Sequence, residues 1–97
     1  MVTYIALSNF TDQGIRTVKD STKRADAVKA AAKKFGATMT QIYWTLGKHD
    51  LVAIIEAPDD ASASAFALAI GMAGNVRTQT LRAFSKDEMD AILGKLA

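Results

Sequence analysis

Short segments of the chain alternate between apolar and polar residues, and this two-residue period is typical of β-strands with one buried face. The same segments are rich in β-branched and aromatic residues, which favour extended backbone. We predict strands at residues 2–9, 38–46, 49–57 and 76–84. A turn at Gly47-Lys48 separates the second segment from the third and predicts a hairpin.

A helical period replaces the alternation between the first two strands. Residues 22–35 carry small and apolar side chains at helical spacing on one face. Ser21 is the predicted N-cap of this helix, and Gly36 is its predicted C-terminal stop. Upstream, residues 10–21 form a connection that we expect to contain a helical turn.

Two further helices follow the hairpin. Residues 58–60, Pro-Asp-Asp, are the predicted start of a helix that ends near Gly74. Ser85 and Glu88 have the spacing of a capping box and precede an apolar stripe, which predicts a last short helix.

The predicted order β-α-β-β-α-β-α is that of a ferredoxin-like plait. Two right-handed crossovers place both long helices on the same face of one four-stranded antiparallel sheet. No segment has the length or composition of a linker, so we predict one α+β domain over residues 1–97.

The strand pattern also predicts self-association. Residues 51–55, Leu-Val-Ala-Ile-Ile, place apolar side chains on both faces of the third strand, although helices cover only one face of the sheet. Monomers rarely expose an apolar patch of that size, so we expect a homodimer or a higher homo-oligomer. The second helix supports this, because residues 61–76 carry no charge. Its outer side is expected to be covered by the C-terminal helix or by a neighbouring protomer.

Composition removes several classes of chemistry. Apolar residues make up 49% of the chain, and there is no cysteine, so disorder, disulfides and thiol catalysis are excluded. One histidine without cysteine gives no recognisable zinc or haem ligand set, and the glycine-rich nucleotide loops are absent. We therefore predict no metal or cofactor. The chain begins in a strand pattern and has no long apolar segment, so we expect a soluble cytoplasmic protein without membrane contact.

The net charge of +2 is unevenly distributed. Residues 11–36 carry seven basic and three acidic side chains, a balance of +4, and the rest of the chain is therefore at −2. A basic helix face can follow nucleic-acid phosphates. Because no aromatic side chains or glycine-rich loop accompany it, we interpret it as a solvated face and do not expect a nucleic-acid partner.

The family resemblance is carried by several motifs in order. The segments TLGKHDLVAIIEAPDD and GNVRTQTLRAF, on either side of an alanine-rich helix, resemble the GYD domain family of small bacterial and archaeal proteins. QGIR and KRADA extend this resemblance over nearly the whole chain. Of the Gly-Tyr-Asp motif, Gly47 and Asp50 are matched, and His49 stands at the tyrosine position. The resemblance implies a dimeric α/β barrel, in which two plaits pack sheet to sheet, and it implies no particular activity.

His49 beside Asp50 has the composition of a general base with its orienting carboxylate. Adjacent residues of a strand point to opposite faces, however, which disfavours direct pairing. We interpret His49 as a polar residue at the rim of the hairpin and Asp50 as an acceptor of backbone hydrogen bonds at the turn. His49 stays a weak catalytic candidate because imidazole titrates near neutral pH.

The second strand supplies an aromatic pair. Tyr43 and Trp44 are predicted to lie on opposite faces of that strand. One of them is expected to pack under the helices, and the other is expected to face a barrel interior or a partner. Core packing is the preferred interpretation for both.

The fourth strand supplies a candidate anion-binding group. Thr80 and Arg82 share one side of that strand. Arg82 could bind a carboxylate or phosphate with two parallel hydrogen bonds. Pairing of Arg82 or Arg77 with Glu56 or Asp50 across the sheet is the preferred alternative.

Two functions remain open from these residues. The first is a non-catalytic small-molecule-binding or regulatory homo-oligomer, with ligand-binding candidates Trp44, His49, Asp50, Thr80 and Arg82. The second is a cofactor-independent enzyme of the oxygenase or isomerase type, which depends on fold analogy and on His49 as base. The position of His49 discriminates between them: an open rim favours binding, and an enclosed pocket favours catalysis.

Overall fold

The computed structural model of the chain describes residues 1–96. The strands are β1 (Val2–Phe10), β2 (Thr38–Trp44), β3 (Leu51–Ala57) and β4 (Val76–Ala83). The helices are α1 (Asp12–Arg16), α2 (Ser21–Ala31), α3 (Asp60–Met72) and α4 (Lys86–Leu93). Short 3₁₀ turns at Val18–Asp20 and Ala32–Phe35 lie before and after α2.

The strands form one antiparallel sheet in the order β2-β3-β1-β4. The central strand β1 pairs with β3 on one side and with β4 on the other, so β2 and β4 are the edges. Helices α2 and α3 each connect two strands and pack on the same face of the sheet. The chain therefore has the predicted α+β class with a four-stranded antiparallel sheet.

The hairpin is shorter than its sequence pattern predicts. β2 ends at Trp44 and β3 begins at Leu51, although the predicted strands reach further into the turn. Thr45 still donates its backbone N–H to the carbonyl of Asp50 (2.9 Å), and beyond this bond the chain opens into a loop. Gly47 has φ 106° there, a left-handed conformation that favours glycine.

The predicted start of α2 is wrong. Ser21 has helical dihedral angles and is the first residue of the helix, because the 3₁₀ turn Val18–Asp20 runs directly into it. A residue already inside a helical segment cannot act as its N-cap. The predicted stop is correct: the helix tightens into a 3₁₀ turn and ends at Gly36, which has φ 66°.

The other helix starts are as predicted. Asp59 caps α3, since its side chain accepts a hydrogen bond from the backbone N–H of Ser62 (2.8 Å). Ser85 and Glu88 form the reciprocal bonds of a capping box at α4 (2.9 and 3.1 Å). These N–H donors stabilise the carboxylates, and they hold the pKa of Asp59 and the pKa of Glu88 below their ordinary values.

The core lies between the sheet and helices α2 and α3. Its largest members are Phe66, which is 2% exposed, and Tyr4, and the ring of Phe35 packs 5.8 Å from that of Phe66. Most of the other buried positions are alanines: Ala6, Ala32, Ala37, Ala53, Ala57 and Ala63. Small side chains at so many facing positions leave space between the layers.

The second face of the sheet is uncovered in this chain. In β3 the residues alternate between buried and half-buried, and strand register places the half-buried Val52 and Ile54 beside residues of β1 and β2. On the other side of β1, Leu81 of β4 lies opposite Ile5. We call this surface the open sheet face; its apolar members are Ile5, Leu7, Tyr43, Val52, Ile54 and Leu81. Tyr43 is 55% exposed and Leu81 is 39% exposed.

Helix α4 covers neither the open sheet face nor the exposed apolar side of α3. Its own apolar residues Met89 and Leu93 are 45% and 49% exposed, because the helix makes little contact with the other elements. On α3, Leu68 is 70% exposed and Met72 is 87% exposed. We call this second surface the outer α3 surface; its members are Ala61, Ala65, Leu68, Ala69 and Met72. Among residues 1–96, no helix has both the length and the apolar character needed to cross a bilayer.

Candidate functional site

A cavity of about 120 Å³ lies between the sheet and helices α2 and α3. Apolar side chains from all four strands form its floor, and those from both helices form its roof. The lining includes Tyr4, Ala6, Val28, Met39, Ile42, Leu51, Ala53, Ile55, Ala63, Phe66, Ala67 and Ile70. The void arises because alanines occupy positions on both layers where larger residues would fill the space.

Two hydroxyl groups form a polar spot in the floor of this cavity. Ser8 on β1 lies directly opposite Thr78 on β4, and their side-chain oxygens are 2.9 Å apart. Both residues are half-buried, and Thr80, two residues further along β4, also lines the cavity. One hydroxyl donates to the other, so the pair keeps a free donor and free lone pairs for a third group.

Arg24 lies at one end of the cavity. Its guanidinium donates to the backbone oxygens of Thr17 (2.8 Å) and Gly14 (3.1 Å), and it lies 6.0 Å from the ring centre of Phe10. These bonds hold the positive charge against the connection between β1 and α2. Arg24 is therefore bound within the fold and is not part of the exposed basic face of α2.

Beside the cavity, residues 11–13 are hydrogen-bonded to residues 73–75, which are distant in sequence. We call this contact the joint. Thr11 donates its backbone N–H to the carbonyl of Asn75 (3.1 Å) and its hydroxyl to the carbonyl of Gly74 (2.5 Å). Gln13 donates to the carbonyl of Ala73 and to the side chain of Asn75, both at 3.0 Å. The joint fixes the start of β4 against α1.

Sequence reasoning missed this joint. The sequence pattern predicted only that a helix ends near Gly74, and QGIR contributed only to the family resemblance. The two segments are about 60 residues apart, so no local pattern relates them. Their shared polar and glycine-rich character is the only signal that was available.

His49 and Asp50 do not bond to each other in this structure. The imidazole Nδ1 lies 3.1 Å from the side-chain oxygen of Asn9, whose side chain is on the side of the open sheet face. Asp50 accepts a hydrogen bond from the backbone N–H of Phe10 (2.9 Å), so its acceptor role is to a neighbouring strand and not to its own turn. Neither residue lines the cavity. Their contacts tie the hairpin loop to the end of β1.

The two aromatic residues of β2 lie on opposite faces, but neither is buried. Trp44 is on the helix side opposite Leu51 and is 42% exposed, and it does not line the cavity. The expectation of core packing was wrong because β2 is an edge strand and Trp44 is its last residue, beyond the cover of the helices. Tyr43 belongs to the open sheet face.

Arg82 makes an ion pair with Glu88 on α4 (3.7 Å) and lies 4.3 Å from the ring centre of Phe84. The expected pairing across the sheet with Glu56 does not form, since β1 lies between β4 and β3. Arg82 does not line the cavity. Its guanidinium instead borders a shallow groove of about 430 Å³ between α3 and β4.

A tyrosine hydroxyl and an aspartate carboxylate that line this groove are hydrogen-bonded to each other. The buried Tyr4 donates its hydroxyl to the Asp60 carboxylate at 2.5 Å. Burial of the phenol, followed by the hydrogen bond and the negative charge of Asp60, raises the pKa of Tyr4 to about 12. The phenol is therefore a neutral donor over the physiological pH range.

Comparison with known proteins identifies the family. The GYD domain model matches residues 4–93. The chain belongs to the GYD domain family. It is 33% identical over 94 residues to a Thermus thermophilus protein named glutamine synthetase and cystathionine beta-lyase binding protein, which covers 96% of this chain and 99% of the relative.

A solved structure supports the fold of this GYD domain protein. The crystal structure of a Thermus thermophilus protein superposes with a TM-score of 0.53 over 88% of this chain and 95% of its own. The two sequences are 24% identical, so the likeness concerns the fold alone. Among residues 1–96, no group of three or more His, Cys, Asp or Glu side chains is arranged to hold a metal ion.

Proposed function

We propose that this GYD domain protein is a homodimeric, non-catalytic binding protein that regulates other proteins by direct contact and takes a small molecule in its cavity. The observation that carries the proposal is a pair of uncovered apolar surfaces on opposite sides of a thin molecule. The open sheet face lies on one side of the sheet, and α3 with its exposed outer surface packs on the other side. A protein with two such surfaces can bind itself and a different partner at the same time.

The open sheet face is the surface that we assign to self-association. It contains no helix and combines branched aliphatic side chains with Tyr43 at one edge. Removal of such a surface from water is favourable by about 25 cal/mol per Å² of apolar area. We propose that two copies of the β2-β3-β1-β4 plait pack sheet to sheet and form a dimeric α/β barrel of ferredoxin-like subunits.

The outer α3 surface is the one that we assign to a protein partner. Helix α3 buries Ala63 and Phe66 in the core, so Leu68 and Met72 point away from the sheet. Exposed leucine and methionine among alanines form a surface that another protein can approach closely, without desolvation of charge. The chain resembles a relative that is named for binding two enzymes, and we propose enzyme partners of those two kinds, glutamine synthetase and cystathionine β-lyase.

The position of His49 favours binding over catalysis. The imidazole bonds to Asn9 at the rim of the hairpin, outside the cavity, where it has no access to a ligand held between sheet and helices. A general base must lie within hydrogen-bond reach of the proton that it removes. The enzyme hypothesis is therefore the weaker of the two.

The test measures binding of purified glutamine synthetase and cystathionine β-lyase from the same organism to the immobilised protein. Leu68→Glu places a charge in the proposed contact and is expected to weaken binding at least tenfold. Leu46→Glu is the matched control, because Leu46 is also an exposed leucine (101%) but lies in the hairpin loop. Equal affinity of both variants, or no binding of either enzyme to the unmodified protein, would remove this partner assignment.

A further inference from the structure

We propose that the cavity between the sheet and helices α2 and α3 binds a small neutral molecule with one apolar ring and one hydroxyl group. The inference deepens the small-molecule part of the proposed function, and it does not depend on dimerisation or on a protein partner.

The size of the cavity sets the size of the ligand. Well-packed interiors rarely contain voids larger than a water molecule, whereas this one measures about 120 Å³. An apolar cavity of about 150 Å³ in another protein stays dry and binds benzene. A single six-membered ring therefore matches the space between Phe66 and the sheet.

The charge of the lining sets the charge of the ligand. Among residues 1–96, Arg24 is the one permanently charged side chain that borders the cavity, and its guanidinium is already bonded to the carbonyls of Thr17 and Gly14. The Tyr4 phenol is neutral and engaged with Asp60. A cation inside this lining would lose its hydration and meet the like charge of Arg24. An anion would leave water for a guanidinium that three oxygens already hold, so we expect the site to favour a neutral ligand.

The hydroxyl pair sets the polar group of the ligand. Ser8 and Thr78 lie on the floor with their oxygens 2.9 Å apart, surrounded by apolar side chains. A third hydroxyl can accept from one member and donate to the other. Such a hydrogen bond is worth about 0.5–1.5 kcal/mol, which corresponds to a preference of about two- to tenfold over a ligand of the same shape without the hydroxyl.

The experiment compares phenol, toluene and benzoate by calorimetry or by NMR titration of the full-length protein. We expect phenol to bind several-fold more tightly than toluene, and benzoate to bind more weakly than both. Thr78→Val removes one hydroxyl at nearly constant shape and is expected to abolish the preference for phenol over toluene while toluene still binds. Absence of phenol and toluene binding up to their solubility would overturn the proposal, as would tighter binding of benzoate, which would assign an anion site at Arg24.

A substitution that fills the cavity tests whether phenol binds there. Ala67→Leu projects three additional carbons into the cavity and is expected to reduce phenol affinity at least tenfold. Ala65→Leu is the matched control, since the same change two residues earlier lies on the outer α3 surface and is expected to leave phenol affinity unchanged. An equal loss in both variants would overturn the location. Light scattering on the same samples reports the dimer separately, so phenol binding by a monomer would support this inference while contradicting the proposed assembly.

Discussion

At the scale of single residues, Gly14 marks the closest approach of two backbone segments. It is buried in α1, and a Cβ atom built on it would lie 1.9 Å from the carbonyl oxygen of Asn75. The neighbouring atom is backbone and is held by the hydrogen bonds of the joint, so it cannot move aside easily. Gly14 is therefore required by packing and not by an unusual backbone angle.

Gly14→Ala is expected to destabilise the protein by about 1–3 kcal/mol, the usual cost of overpacking. Gly71→Ala is the matched control, because nothing lies within 4 Å of its Cβ position in α3. That change is expected to raise the unfolding free energy by about 0.5–1 kcal/mol through helix propensity. Urea denaturation measures the change in unfolding free energy for both variants. Changes of the same sign would contradict the close contact of Gly14 with Asn75.

Tyr4 couples stability to alkaline pH. Its pKa of about 12 in the folded protein lies above the ordinary value of 10.0, so between these values the folded state keeps a proton that the unfolded chain has lost. Stability is therefore expected to be fully present below pH 10 and to fall as the pH rises through the interval from 10 to 12. The physical cause is that a phenolate would be buried beside the Asp60 carboxylate.

An absorbance titration of phenolate formation in a Tyr43→Phe background isolates Tyr4. We expect a midpoint near pH 12, and a lower midpoint in Asp60→Asn that still exceeds 10, because burial is the largest single cause of the raised pKa and remains in this variant. A midpoint at 10 in the Tyr43→Phe protein would contradict the burial of this hydroxyl.

At the scale of elements, α2 and the 3₁₀ turn that follows it present their lysines to solvent and none to the core. Lys23, Lys29, Lys33 and Lys34 are exposed, whereas Arg24 is held by the connection before the helix. The lysines are accompanied on this helix by Asp26 and by no stacking aromatic side chain. The geometry agrees with a solvated face, and it leaves few charges for phosphate contacts.

We expect weak binding of duplex or single-stranded DNA at low salt and none at physiological salt. Each phosphate contact adds about 0.9 to the slope of log affinity against log salt concentration, so an association through a few lysines disappears quickly. Fluorescence anisotropy at both salt concentrations checks this. Submicromolar affinity at the higher salt would move nucleic acid to the head of the partner list.

At the scale of the whole molecule, large apolar side chains stay exposed on the sheet, on α3 and on α4. The open sheet face, the outer α3 surface and the apolar side of α4 are all uncovered, and the molecule is elongated, with extents of 52, 31 and 18 Å. An uncovered apolar area of this kind is typical of an interface between protein chains.

The protein is expected to be at least dimeric at micromolar concentration, and Val52→Arg is expected to give a folded monomer. Register places Val52 on the open sheet face and the neighbouring Leu51 in the core, so an arginine at Val52 would bury an unpaired charge only in the dimer. Ala30→Arg, on the exposed side of α2, is the matched control and should leave the dimer intact. A molar mass equal to that of a monomer, measured by light scattering on the unmodified protein, would contradict the proposed dimer.

The sequence by itself determined those features that depend on neighbours along the chain. The third strand, the start of α3 within residues 58–60, the capping box at Ser85 and the stop at Gly36 were predicted correctly, since each depends on residues at most a few positions apart. The uncharged α3 and the two-sided apolar strand likewise indicated that a surface would remain uncovered. The family followed from motif order.

Tertiary structure alone decided which of these residues meet. The Ser8–Thr78 pair, the Tyr4–Asp60 bond and the contact of Gly14 with Asn75 each join residues that are more than 50 positions apart. The same strand order placed β1 between Arg82 and Glu56, and it left Trp44 at an exposed edge. The cavity also depends on tertiary structure. No single alanine in the sequence indicates a void. A void forms only where helices and sheet bring several alanines face to face, because packing depends on the sum of the facing side-chain volumes.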